Sequence, residues 1–296
     1  MGGAAIAGAA CAVALWFLAP ISVSAALTAG IAFALCVPSL LVAFSFVVAL
    51  ASRASTFSIG DMLYLIRALM FEVIDFNLAI LAMMASKPAT NQPPGRVTHR
   101  PVLLIHGFAC NHSVWREWLG RLEAHGFGPV RVIDLEPPFA DIEHHAAHVE
   151  RELRALFQDS GDIPVSIIGH SMGGLVARAW LRSRATHKRS DGTEEAARLI
   201  TIGTPHRGTW LARLARTANG RQMAMDSPWM VALAAKEPPT LPGLITSWWS
   251  ECDQIVYPPP TAVYPGSEAK QLRGVGHIAM TAREEIWNEI RRRIDY

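Results

Sequence analysis

The chain has 296 residues, of which 51% are hydrophobic and 18% charged, with a formal net charge of +2. That length suits one large domain plus an appendage, and the near-balanced charge leaves no basic footprint for a nucleic-acid partner. Four cysteines are too few for a disulfide scaffold, and their spacing matches no zinc pattern.

Charge is spread unevenly along the chain. No Asp, Glu, Lys, Arg or His precedes Arg53. A helix crosses a bilayer with about 20 apolar residues, so the uncharged stretch 1–52 is expected to be a membrane anchor of two transmembrane helices. They fall near 3–24 and 30–51, joined by a turn containing Ser22, Ser24, Thr28 and Gly30. A single long or kinked span is the alternative, since Pro20 and Pro38 can bend a helix without preventing insertion. A cleaved leader is disfavoured because no Lys or Arg comes before the apolar stretch. The bilayer is thus an expected partner. Arg53 and Arg67 lie on the carboxyl-terminal flank, which favours a cytoplasmic position for the catalytic domain.

Residues 53–86 read as an amphipathic helical segment. Asp61, Glu72 and Asp75 share one narrow sector at 100° per residue, with Leu, Ile, Met and Phe around the rest. Such a helix can lie in the membrane interface or pack against the next domain. Residues 87–100, rich in Pro and polar groups, read as a linker.

From Pro101 onward, short apolar runs alternate with helical patterns, which predicts an α/β domain with a mostly parallel sheet and covering helices. Strands are expected at 101–105, 130–134, 164–169, 198–203, 243–250 and 269–274, and helices at 113–125, 141–158, 172–184 and 281–293. The segment 207–242 carries Met223, Met225, Trp229, Met230 and several prolines, and reads as a pocket wall or a plain helical excursion.

Gly169-His170-Ser171-Met172-Gly173-Gly174 follows a predicted strand and opens a predicted helix. In that context Gly-x-Ser-x-Gly forms a sharp turn that lifts a serine hydroxyl above the sheet. Small residues let backbone approach the strained turn, and the helix amino terminus favours developing negative charge. Ser171 is the candidate nucleophile. A serine capping an ordinary βα turn is the bland alternative.

The stretches LLIHGF (103–108), IIGHSMGG (167–174), TIGTPHRGT (201–209), Asp253-Gln-Ile-Val256 and Gly274-Val-Gly-His277 occur in that order. Together they resemble the α/β-hydrolases, and within them the bacterial lipases and esterases. The resemblance covers about residues 100–296. It implies a Ser-acid-His order along the chain, which makes His277 the candidate base and Asp253 the candidate acid, with Asp226 and Glu251 also satisfying the order. It implies an oxyanion hole made by the backbone N–H groups of Phe108 and Met172. Little chain precedes the first strand, so a minimal six-stranded sheet is expected instead of the family's eight. Met172 stands where many secreted lipases carry Gln, a difference that leaves a backbone donor intact.

Other histidines are given lesser parts. His206 is expected to hydrogen-bond within its loop, His106 to support the His-Gly turn, and His170 to point away across the elbow. His144, His145 and His148 read as a solvated helix face and not a metal site. A Cys110–Cys252 bridge is conceivable. No cofactor is expected, although the resemblance carries the implication of a structural calcium whose ligands the sequence does not identify.

The expected activity is hydrolysis of a carboxylic ester, with an ester or lipid as substrate. The same parts would serve an acyltransferase if an alcohol or amine replaced water. An inactive hydrolase scaffold used for binding is the non-enzymatic alternative.

Overall fold

The computed structural model describes residues 59–86, 100–186 and 196–294, with scattered helical positions between 36 and 47. The expected span 3–24, most of 30–51 and almost all of the linker lie outside the described residues.

Six strands form one sheet: β1 (Val102–Ile105), β2 (Val130–Ile133), β3 (Val165–His170), β4 (Ala196–Ile202), β5 (Ile245–Ser250) and β6 (Glu268–Leu272). Their order is β2-β1-β3-β4-β5-β6, and every pairing is parallel. A parallel sheet covered on both faces needs apolar residues on both, which is why β1 reads VLLI without alternation and is wholly buried. The strand's period of two still divides the core. Leu103 and Ile105 join one cluster with α3 (Ile142–Asp159) and α4 (Met172–Thr186). Val102 and Leu104 join the other, with α2 (Arg116–Ala124) and the carboxyl-terminal helix (Glu284–Ile294). There Trp118 meets Trp115 and Trp287 edge-on, each with ring centroids 5.6 Å apart.

The six strands and the helices over 101–296 fall within a few residues of their expected places. The segment 207–242 folds into a 3₁₀ turn and three short helices, α5 (Ala218–Gln222), α6 (Pro228–Ala235) and α7 (Leu241–Leu244). Met223, Met230, Leu233 and Leu241 are buried in the main core. Arg178 of α4 forms a buried ion pair with Glu237, at 2.8 Å. The segment is therefore pinned to the domain as packed helices.

The helix α1 (Ile59–Ala85) precedes the sheet domain, where the amphipathic pattern placed a helix. Its 23 residues Leu63–Ala85 are long and apolar enough to cross a membrane, with mean hydropathy 1.8. The acidic side faces the hydrolase domain: Glu72 is fully buried there. Leu63, Ile66, Met70, Ile74 and Leu78 point outward. Phe46 and Val42 pack on a further side of α1, along with Cys252. Cys110 and Cys252 are both free, so the conceivable bridge is not formed.

Candidate active site

Ser171 sits between β3 and α4 with φ +54, a left-handed conformation rare for a residue with a side chain. The turn holds because its amide donates to Ile202 O at 2.9 Å and Gly174 N returns to Ser171 O at 3.1 Å. A Cβ at Gly169 would strike the Gly174 backbone, and one at Gly173 would strike the carbonyls of Ile105 and His106. Both glycines therefore allow α4 to press against β1 and leave the serine at the carboxyl end of the sheet.

Parallel strands present all their carboxyl ends on one edge, and the other candidates come from the same edge. Asp253 follows β5 and His277 follows β6. Asp253 Oδ2 lies 2.8 Å from His277 Nδ1. The second oxygen, Oδ1, accepts from Ile255 N at 2.9 Å and Val256 N at 2.8 Å, so the carboxylate is fixed before the imidazole meets it. Asp253 is buried, not a surface turn aspartate. Glu251 is instead committed to Tyr64 Oη, Gln271 and Gly274 N, and Asp226 is exposed on the 207–242 segment. Of the three acids, the structure brings only Asp253 to the imidazole.

Burial alone would lower the pKa of His277, but the charge and hydrogen bond of Asp253, helped by the charge of Glu72, outweigh it and raise the value. With Nδ1 engaged by the carboxylate, Nε2 is the nitrogen left for proton transfer. The side chain of His170 does not leave this region, contrary to the expectation. Its ring lies 4.9 Å from that of His277, and its Nε2 lies 3.3 Å from the His277 carbonyl. Burial, then the neighbouring His277, hold its pKa well below the ordinary value, so it stays neutral.

Met172 follows Ser171 directly in the chain, and Phe108 belongs to the turn after β1. Met172 opens α4, where the first amides have no intrahelical carbonyl. The Gly107–Phe108 turn runs directly against the serine, since a Cβ at Gly107 would lie 2.8 Å from Ser171 Cβ. His106 holds that turn. Its Nδ1 lies 2.8 Å from Gly107 O, and its Nε2 accepts from Leu135 N at 3.0 Å. Those partners require the neutral Nδ1–H tautomer, and burial lowers its pKa accordingly.

Glu72, read in the sequence only as part of a polar stripe, proves to back the histidine loop from α1. Its Oε1 accepts from Ile278 N at 2.7 Å and Gln254 Nε2 at 2.9 Å, and Oε2 accepts from Ala279 N at 3.1 Å. Gln254 Oε1 in turn takes the His277 amide at 3.4 Å. The sequence signal was its place in an acidic stripe on a largely apolar helix.

His206 is a buried loop hydrogen-bonder, with Nε2 2.9 Å from Thr201 Oγ1. The reading of His144, His145 and His148 as a solvated face needs correction. His145 is fully buried under α3, whose period turns it inward between Ile142 and Val149, and burial lowers its pKa to about 4. Among the described residues no group of three or more His, Cys, Asp or Glu is arranged to hold a metal ion.

A parallel six-stranded sheet flanked by helices, with a Gly-x-Ser-x-Gly elbow ending its third strand, is the α/β-hydrolase fold. Residues 142–241 match the family model of the PGAP1-like alpha/beta domain. The chain is 33% identical over 144 residues to a triacylglycerol lipase of Burkholderia plantarii, covering 45% of this chain and 37% of the relative. It is 28% identical over 113 residues to a pimeloyl-[acyl-carrier protein] methyl ester esterase of Vibrio cholerae, covering 37% of this chain and 40% of that protein. It thus spans well under half the length of these relatives. A mature lipase of Bacillus licheniformis shares the fold, with a TM-score of 0.58 at 16% identity over 70% of this chain and 96% of that one.

Proposed function

We propose that this protein hydrolyses carboxylic esters with an apolar acyl chain, with Ser171 as nucleophile and His277 as its base. The carrying observation is the buried Asp253–His277 pair, set on the same sheet edge as a serine held at positive φ. Similarity to a triacylglycerol lipase and to a methyl ester esterase supports the ester class.

The steps derive from the residues. Ser171 Oγ attacks the ester carbonyl carbon while His277 Nε2 takes its proton. Asp253 fixes the tautomer and stabilises the imidazolium. Negative charge builds on the carbonyl oxygen, where the Phe108 and Met172 amides donate to it; losing one such donor costs about 10²–10³ in rate. The tetrahedral species collapses, and the alcohol leaves with the proton from His277. Water then attacks the acyl-enzyme with His277 again as base, releasing the acid and restoring Ser171.

Labelling with a fluorophosphonate tests this directly. The wild type is expected to label once, and Ser171→Ala not at all. Ester turnover by Ser171→Ala or His277→Ala should fall by about 10⁴–10⁶, because members of such a unit act together. Full labelling of Ser171→Ala would refute the assignment. A lipid-like substrate is supported by the uncharged residues 1–52 and by the bare apolar side of α1. Activity on long-chain esters, exceeding that on short soluble ones, is the expected outcome.

A further inference from the structure

A cavity of about 240 Å³ opens between α1 and the loop after β6. Tyr64, Arg67 and Phe71 line one wall, and Arg273, Val275 and Arg283 the other. Three guanidiniums therefore converge in a protein whose net charge is only +2. Several other arginines are matched to acids, as with Arg131 to Asp159 and Arg293 to Glu289. Among the described residues Arg67, Arg273 and Arg283 have no ion-pair partner. Glu251, beside the cavity, is taken up by Tyr64, Gln271 and Gly274 N. Asp75 acts on Arg283 only through space. Arg283 Nε is buried and has no hydrogen-bond partner, so a donor is already desolvated and waiting for an acceptor.

The surroundings of the cavity narrow the acceptor. Arg67 lies on the side of α1 where Leu63, Ile66 and Met70 point outward, each close to or above half exposed. A site with three cations at one end and a bare aliphatic surface beside it fits an amphiphile whose anionic head is oxygen-rich. Guanidinium forks match phosphate oxygens, and basic clusters next to membrane-embedded apolar helices recognise anionic headgroups. We propose that Arg67, Arg273 and Arg283 hold the phosphate of an anionic glycerophospholipid, with its acyl chains lying along the outward face of α1. The cavity thereby fixes the helix, and the domain docked on it, against the bilayer surface. This inference does not depend on the catalytic reading.

The full chain in a non-ionic maltoside micelle, titrated calorimetrically with dihexanoylphosphatidylglycerol, tests it. Saturable binding at one site is expected, with weaker binding of dihexanoylphosphatidylcholine and of inorganic phosphate. Each basic residue near a membrane surface is worth about fivefold in affinity, so the triple change Arg67→Gln, Arg273→Gln, Arg283→Gln should weaken binding by about 100-fold. The thermal melt of that variant, followed by circular dichroism, should match that of the wild type, which shows that it still folds. Inorganic phosphate binding as tightly as the lipid would replace the lipid with a soluble anion. Equal binding of the phosphatidylcholine, or no loss in the triple variant, would overturn the site altogether.

Discussion

Asp253 and Glu72 are both buried carboxylates near His277, yet they do different work. Asp253 meets the ring itself, and Glu72 holds the backbone of the next two residues. Replacing Asp253 with Asn frees the wrong tautomer and should cost about 10⁴ in kcat. Glu72 is a positioning residue, so Glu72→Gln keeps its shape and should lower kcat by about tenfold while removing a charge. The pH profile separates the two effects. His277 must be neutral to accept a proton, and its pKa lies above the ordinary value, so activity is lost as pH falls through that raised value. Because the Glu72 charge contributes to the raising, the acid limb of kcat/KM in Glu72→Gln should move to lower pH. An unmoved limb would mean that Glu72 acts on structure alone. Ser171, Asp253 and His277 could be picked out as candidates because each sits in a local motif with a recognisable strand beside it. Glu72 was not, since its partners lie 206 and 207 residues away and no local pattern names them.

At the scale of elements, the sheet was readable nearly strand by strand, because a doubly covered sheet demands apolar runs that a surface loop does not have. The edge strand β6 was the least distinct, and its residues are mostly exposed, with only Leu272 buried. The packing of 207–242 was not legible, since short Pro-interrupted helices have no sustained period. What fixes that segment is the Arg178–Glu237 pair, both side chains almost fully buried. Arg178 also donates to His206 O at 2.7 Å, and Tyr264 Oη donates to Glu237 at 3.1 Å. Arg178→Met strands the glutamate charge in the interior, at a cost of about 3–5 kcal/mol, or roughly 6–20 °C in Tm. The double change with Glu237→Leu should recover much of that loss. Thermal melts followed by circular dichroism measure both.

For the whole molecule, the decisive feature is the orientation of α1. An amphipathic helix on a water-soluble domain turns its apolar stripe inward, whereas this one turns Glu72 inward and leaves Leu63, Met70, Ile74 and Leu78 exposed. The helix is also part of the hydrolase, through Glu72 and through Asn111 Nδ2, which donates to Ser86 Oγ at 2.9 Å. A chain truncated to begin at residue 100 leaves the Ile278 and Ala279 amides without their acceptor. Lost charge-assisted hydrogen bonds amount to about 3 kcal/mol, or roughly 6–12 °C in Tm for a domain of this size. Fluorophosphonate labelling should be weaker in that truncated form and intact in one that begins just before α1.

The contact between Glu72 and residues 278 and 279 also orders events at the ribosome. α1 is among the first described elements to be translated, and its acceptor oxygens wait until residues 278 and 279 have been made. No nascent polypeptide ending short of Ala279 can close the loop that supports His277. The candidate catalytic centre is thus completed only once residue 279 has been made, well after α1 itself.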